Sequence, residues 1–434
     1  MSVIDTIKSL LGADPVHNAD ADMQEVLDAL ASLHPKPIED LDALEARRQP
    51  TAADAVAKVM AEKGLSAAIP GVSSHDITIP GAVGENPARV YLPAGATLPA
   101  AASDDALPGG AFPDTPAAAG GANALPVILY FHGGGFVIAD LDVYDATPRS
   151  IAAQTGAIVV SAHYRQAPEH PFPAAHDDAN AAWRWLIDNA ASLGGDASRL
   201  AVLGESAGAN LAANVTIYAR DHGLQLPVSQ GLVYPIADTN THTLSYEENR
   251  NAKPLNKPMM LWFVLQSLID SDDKDDKRLR LVEQDLSNLP PTFVVTAGID
   301  PLRSDGENLA EALETAGNTV QARNYPGVTH EFFGMAAVVQ AARDAQAFVA
   351  EGMRTAFGTV QAATPARVAT EAPVAPVAPV APVAPVAPSL SETTTAAPVA
   401  PVTSMTPMFP GASVAAPELA ADAVPVVRSP DALS

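Results

Sequence analysis

Over residues 1–64 apolar side chains recur every three or four positions, as in Ile4, Ile7 and Leu11, then Met23, Val26, Leu27 and Leu30, then Val56, Val59 and Met60. That spacing predicts amphipathic helices. Each must lay its apolar stripe on something, and two readings fit equally: ordinary packing on a core, or a lid over a pocket. We assign residues 1–73 to this helical cap.

The texture then changes. Strand-like runs, most of them rich in Val, Ile or Leu, occupy residues 76–79, 88–92, 127–131, 157–161, 200–203, 231–234, 292–296 and 320–324. Helical patterns separate most of the later ones, for example over residues 174–191 and 209–221, the second stopped by Gly223. Continuous apolar strands alternating with helices predict an α/β domain whose mostly parallel sheet is buried on both faces, here over residues 74–358. Ligands of such sheets bind at the carboxyl ends of the strands. Residues 97–124, mostly Ala, Gly, Pro and Asp without periodicity, read as an inserted loop.

From residue 359 to 434 the chain is of low complexity, and residues 372–388 repeat Ala-Pro-Val with proline at every third position. Proline at that spacing forbids helix and central strand but suits polyproline II, so the expectation is a disordered, extended tail.

The chemistry is carried by a few loops. Gly204-Glu205-Ser206-Ala207-Gly208 follows the apolar run 200–203 and precedes a helical pattern. That is the strand-turn-helix context in which a serine between two glycines becomes an exposed nucleophile, as in the α/β-hydrolase fold. A side chain at 204 or 208 would collide with the neighbouring strand and helix. His132-Gly133-Gly134-Gly135 follows the strand at 127–131, and three glycines let backbone amides approach a developing oxyanion.

A serine hydroxyl needs a base, and the base an orienting acid. In this fold both follow the serine, acid first. His242 and His330 lie far enough beyond Ser206; His330 is favoured because it follows the last strand and precedes the final helix. Asp300, after the strand at 292–296, is favoured as the acid over Asp305, which can serve the first turn of the next helix, with Asp238 the third choice.

Composition narrows the partners. With 25 basic and 50 acidic residues the formal net charge is −25, which disfavours nucleic acid and anionic lipid surfaces. There is no cysteine, so disulfides, thiolate nucleophiles and thiolate metal sites are excluded. No secretory leader or membrane-length apolar run is legible, which makes the cytoplasm the expected location.

These residues resemble the bacterial branch of the hormone-sensitive-lipase family of esterases. The matching segments are YFHGGGF (130–136), YRQAPEHPFPAAHDDA (164–179), GESAGANLA (204–212), AGIDPLRSDG (297–306) and YPGVTHEFF (325–333). The resemblance implies a serine carboxylesterase acting on short- to medium-chain esters through an acyl-enzyme. Ser206, Asp300 and His330 would form its triad, with Gly134, Gly135 and Ala207 as oxyanion donors. It implies neither metal nor organic cofactor, a small-molecule ester and water as partners, and a monomer or homodimer. A lipase acting on longer-chain glycerides is the nearest alternative, and a non-catalytic binding protein of the same fold, lacking the histidine, a more distant one. The 164–173 block reads as structural, with Arg165 and Glu169 as an internal ion pair. Glu205 departs from the pattern, since many relatives carry Asp there; the insertion and the tail lie outside it.

Overall fold

The structure, a computed structural model, describes residues 18–66, 69–99 and 124–358. The predicted helix around Ile4, Ile7 and Leu11, most of the 97–124 insertion and the Ala-Pro-Val tail lie outside the described residues.

All eight predicted strands form, in one sheet: β1 (Ser73–Pro80), β2 (Glu85–Leu92), β3 (Leu125–Phe131), β4 (Ile158–Ala162), β5 (Gly195–Glu205), β6 (Gln230–Val233), β7 (Thr292–Ile299) and β8 (Val320–Thr329). The order is β1-β2-β4-β3-β5-β6-β7-β8. β1 and β2 form a hairpin that joins β4 antiparallel, and every other pairing is parallel. The difference is written in the side chains. β1 alternates exposed and buried positions, as a strand with one wet face must, whereas β3 is buried along nearly its whole length.

Alternation along β3 divides its side chains between two apolar layers. Val127, Leu129 and Phe131 face one, with helices α5 (Ala174–Asn189) and α6 (Ala207–Asp221). Ile128 and Tyr130 face the other, with α4 (Ala146–Thr155) and the last helix, α10 (Gln340–Ala356).

The N-terminal helices join this second layer. Met23, Val26 and Leu27 of α1 (Ala21–Ser32) and Ala55, Val56 and Val59 of α3 (Ala52–Lys63) cluster with Phe332, Phe333 and Met335, just beyond His330. The cap is thus packed on the domain. Its entry is pinned where the Asp20 N–H donates to the Gly327 carbonyl at 2.8 Å, and a Cβ on Gly327 would lie 2.3 Å from the Asp20 carboxyl carbon. Between α1 and α3 runs the short α2 (Ala43–Ala46), after which Arg47 reaches the body of the domain.

Within residues 238–251 a short α7 (Leu244–Glu248) forms. It is followed by α8 (Lys257–Ser267), which the hydrophobic pattern hides because its apolar residues point all round. Asn256 caps α8 by accepting from the Met259 N–H at 2.8 Å, and Pro258 lies in its first turn, where no N–H is needed. The remaining helix, α9 (Arg303–Thr315), links β7 to β8. Among the described residues no helix is long and apolar enough to cross a membrane.

Candidate active site

The turn from β5 into α6 is made at Ser206, whose φ of 57° and ψ of −118° place a non-glycine residue in a strained conformation. The Ser206 N–H donates to the Val233 carbonyl at 2.9 Å, while its own carbonyl accepts from Ala209 and Asn210 at 3.0 and 3.1 Å. The flanking glycines are dictated by space. A Cβ at Gly204 would lie 2.0 Å from the Gly208 carbonyl oxygen, and one at Gly208 would lie 2.1 Å from the Phe131 carbonyl oxygen on β3. Ala207 opens α6, so its N–H is among the first four of the helix, which have no intrahelical acceptor.

The glycine run leaves β3 beside this turn, because Phe131 is paired in register with Gly204. Gly134 and Gly135 have φ of 105° and 59°. A Cβ at Gly134 would meet the Ile138 carbonyl oxygen at 2.1 Å, and one at Gly135 the Phe263 ring of α8 at 2.3 Å. The loop is braced from behind. His132 is fully buried, stacked on Tyr164 with centroids 4.6 Å apart, and its Nδ1 lies 2.7 Å from the Gly133 carbonyl. Burial holds this imidazole down at about 3, so it is a neutral brace. Tyr164 donates to the His132 carbonyl at 2.9 Å, and Gln166 Nε2 to the carbonyls of Ile138 and Ala139 at 2.8 and 2.9 Å. The 164–173 block therefore has the structural role read from the sequence.

Its expected ion pair does not form. Arg165 makes a two-pronged contact with Asp178 of α5, Nε to Oδ2 at 2.8 Å and Nη2 to Oδ1 at 3.0 Å. Glu169 instead meets Arg47 of the cap, at 2.7 and 2.8 Å. Asp178 wins Arg165 because it also accepts from the backbone N–H of Arg165 and of Ala82, a site already shaped for an anion. Glu169 is left facing the cap.

β8 runs on beyond the predicted 320–324 to Thr329 and delivers His330 to the carboxyl end of the sheet, next to Asp300 at the end of β7. His330 Nδ1 lies 2.7 Å from Asp300 Oδ2, and Asp300 Oδ1 accepts from the Leu302 N–H at 2.8 Å. Both side chains are buried. Burial alone would lower the imidazole pKa, but the Asp300 charge and hydrogen bond outweigh it, and the value is raised above the ordinary 6.5.

The alternatives lie elsewhere. Asp305 does occupy the first turn of α9, yet its buried carboxyl accepts from the N–H groups of Ala237 and Asp238 at 3.1 Å, tying down the segment after β6. Asp238 pairs with Arg280 at 3.1 Å, and His242 is exposed.

One constellation escaped the sequence. Glu205 is fully buried and accepts from Tyr130 Oη at 2.7 Å and from Tyr234 Oη. The Tyr234 ring packs on His330 with centroids 4.4 Å apart.

A cavity of about 710 Å³ lies under the cap, with Leu27, Leu30, Gly134, Ile138, Met259 and Glu331 in its wall. A second, of about 640 Å³, lies between α3, α4 and residues 334–337. Ala52, Val143, Tyr144 and Glu331 belong to both walls.

Known proteins resemble this chain in sequence and fold. A family model described as the alpha/beta hydrolase fold matches residues 128–334. The carboxylesterase NlhH of Mycobacterium tuberculosis is 44% identical over 225 residues, which are 51% of this chain and 70% of that protein. The ethyl acetate hydrolase of Pseudomonas putida is 37% identical over 245 residues, 56% of this chain and 75% of that protein. A solved esterase of Pyrobaculum calidifontis superposes with a TM-score of 0.63 at 34% identity, over 75% of this chain and 97% of that one.

Proposed function

Because this chain belongs to the hormone-sensitive-lipase-like carboxylesterases of the α/β-hydrolase fold, we propose that it hydrolyses short- to medium-chain carboxylic esters with Ser206 as nucleophile, His330 as base and Asp300 as orienting acid. Ester hydrolysis itself follows from the family. The assignment of roles is carried by one observation, the 2.7 Å contact between His330 Nδ1 and Asp300 Oδ2 at the carboxyl ends of β8 and β7.

That contact fixes the tautomer. With the Nδ1 proton donated to Asp300, Nε2 is left as the acceptor for the Ser206 hydroxyl proton. As Ser206 Oγ attacks the ester carbon, the proton passes to Nε2 and the imidazolium is stabilised by Asp300. The carbonyl oxygen becomes an oxyanion, for which Gly134, Gly135 and Ala207 are the proposed backbone donors; removing one such donor typically costs on the order of a hundredfold in rate. The tetrahedral species collapses, His330 returns the proton to the departing alcohol, and Ser206 is left acylated. Water then gives a proton to His330 and its hydroxide equivalent to the acyl carbon, and as the bond from that carbon to Ser206 Oγ breaks His330 passes the proton to Oγ, releasing the acid and restoring Ser206.

The cavity under the cap, with apolar Leu27, Leu30, Ile138 and Met259 in its wall, supports an acyl or alcohol group of modest size. The second cavity favours one competing reading, in which a longer acyl chain passes Tyr144 and the enzyme acts on long-chain glycerides. Hydrolysis of nitrophenyl esters of increasing chain length, by wild type and Ser206→Ala side by side, tests both. Activity that declines with chain length and is absent in the variant supports the short-chain reading; a rate that climbs toward long chains supports the lipase. No hydrolysis by the wild type overturns both.

A further inference from the structure

The geometry points to Glu205 as a positioning residue of this reaction: its carboxylate, buried next to the nucleophile, holds Tyr234 against His330 and joins Asp300 in stabilising the positive charge of that ring. The inference rests on the ester-hydrolysis mechanism above and adds a residue to it.

A fully buried carboxylate is costly unless it is paired or hydrogen-bonded. Glu205 is 0% exposed, and two phenols are turned onto it, Tyr130 from β3 and Tyr234 from the end of β6. Tyr130 donates to Oε1 and Tyr234 to Oε2, so both oxygens serve as acceptors, which a carboxylate allows and an amide nitrogen does not. No arginine or lysine pairs with Glu205 among the described residues, and the neighbouring group able to turn positive is His330. The carboxylate thus has a cationic partner only while the imidazole is protonated, which in the mechanism is during each proton transfer.

Tyr234 supplies the mechanical link. Its ring lies 4.4 Å from the His330 ring, its hydroxyl is held by Glu205, and its backbone N–H donates to Val295 on β7 at 2.6 Å. It adopts a φ of 36°, in the left-handed region that a tyrosine seldom enters, so its place is imposed by these contacts. Three carboxylates therefore surround His330: Asp300 bonded to Nδ1, Glu331 next in the chain, and Glu205 behind Tyr234. The titratable groups around Glu205 itself are Tyr130, Tyr234, His330 and Glu331. Tyr144 also faces Glu205, from the loop before α4.

The test is the pH dependence of kcat and kcat/KM on a short nitrophenyl ester for wild type, Glu205→Gln, Glu205→Asp and Tyr234→Phe, with folding checked by circular dichroism. Loss of the charge makes imidazolium harder to form. Glu205→Gln should therefore move the acid limb of kcat/KM to lower pH by about half a unit to one unit and lower kcat about tenfold, with KM little changed. Glu205→Asp retains the charge on a shorter arm, so the acid limb should stay near that of wild type while kcat falls. Tyr234→Phe should lower kcat with a smaller shift of the limb. A folded Glu205→Gln enzyme with an unmoved acid limb, or with its whole loss in KM, overturns the proposal. If that variant does not fold, Glu205→Asp carries the test, and an unchanged kcat overturns it. A wild type inactive on every ester overturns the parent mechanism as well, whereas an active wild type with an unmoved variant profile removes only the role of Glu205.

Discussion

Arg47, in the cap, and Glu169, in the block that braces the glycine loop, form a two-pronged ion pair at 2.7 and 2.8 Å across 122 residues of sequence. The same guanidinium donates to the carbonyls of Val137 and Ala167, each at 2.8 Å. One cap residue thus fastens the loop that carries Gly134 and Gly135 to the block behind it.

Arg47→Ala removes all of these contacts and should be costly for activity. Each lost hydrogen bond is worth about 0.5–1.5 kcal/mol, so we expect kcat/KM to fall about tenfold, with a drop in thermal midpoint. Glu169→Gln keeps the backbone contacts, and because the Glu169 side chain is 53% exposed its charge adds little. Its kcat/KM should stay within about twofold of wild type by the same reasoning. Equal losses in the two variants would mean that the ion pair matters more than the backbone contacts.

Two glycine replacements separate space from backbone conformation. Gly64→Ala meets nothing within 4 Å, but Gly64 has a φ of 65°, and the substitution should cost about 1 kcal/mol. Gly208→Ala would bring a methyl group to 2.1 Å from the Phe131 carbonyl oxygen, where backbone must yield. The expected loss is about 3 kcal/mol or more, with inactivation. Thermal unfolding of both variants is the check, and a smaller loss at 208 than at 64 would contradict the packing.

The Asp300–His330 contact also sets the pH profile. Burial opposes protonation of His330, yet Asp300 prevails and the imidazole titrates above its ordinary value. Since the base must be neutral to accept the Ser206 proton, kcat/KM should fall as pH drops through a value above 6.5. Asp300→Asn should move this limb down and reduce kcat on the order of a thousandfold or more, because the tautomer is no longer fixed. The stability linkage runs the same way. A raised folded-state value contributes stability that is fully present below the unfolded value and is lost as pH rises through the folded one.

Glu331 lies in the walls of both cavities, one residue beyond His330, and burial raises its pKa. In its charged form it should repel an ester whose acyl group ends in a carboxylate. Glu331→Gln is expected to raise kcat/KM for such a half-ester about fivefold relative to a neutral ester of equal length, the size of a charge interaction of about 1 kcal/mol. Parallel assays of the two esters measure the ratio, and an unchanged ratio would show that the acyl group does not approach Glu331.

Much of this was legible in the sequence because it depends on neighbours in the chain. The runs predicted over 127–131, 200–203, 292–296 and 320–324 are strands, which end at Phe131, Glu205, Ile299 and Thr329, and each leads into a segment carrying Gly134, Ser206, Asp300 or His330. Where the outcome depended on residues distant in sequence, the reading stopped or failed. Arg165 was paired with nearby Glu169, whereas Asp178 was already supplied with backbone donors that favour an arginine beside it. α8 was invisible because Met260, Trp262 and Phe263 are buried while Leu261 and Leu265 are exposed, leaving no polar face to set a period. The phenols of Glu205 come from two different strand ends, and only the sheet register brings them together.

The Asp20–Gly327 contact has a practical bearing on engineering. It fastens the entrance of the cap to the strand that presents His330 three residues later. A cap exchanged with that of a relative to change selectivity would have to remake this contact with its own backbone N–H against the Gly327 carbonyl. A graft that transfers the cap alone would therefore disturb the base as well as the pocket, and the unit to transplant is the cap together with the segment leading to His330.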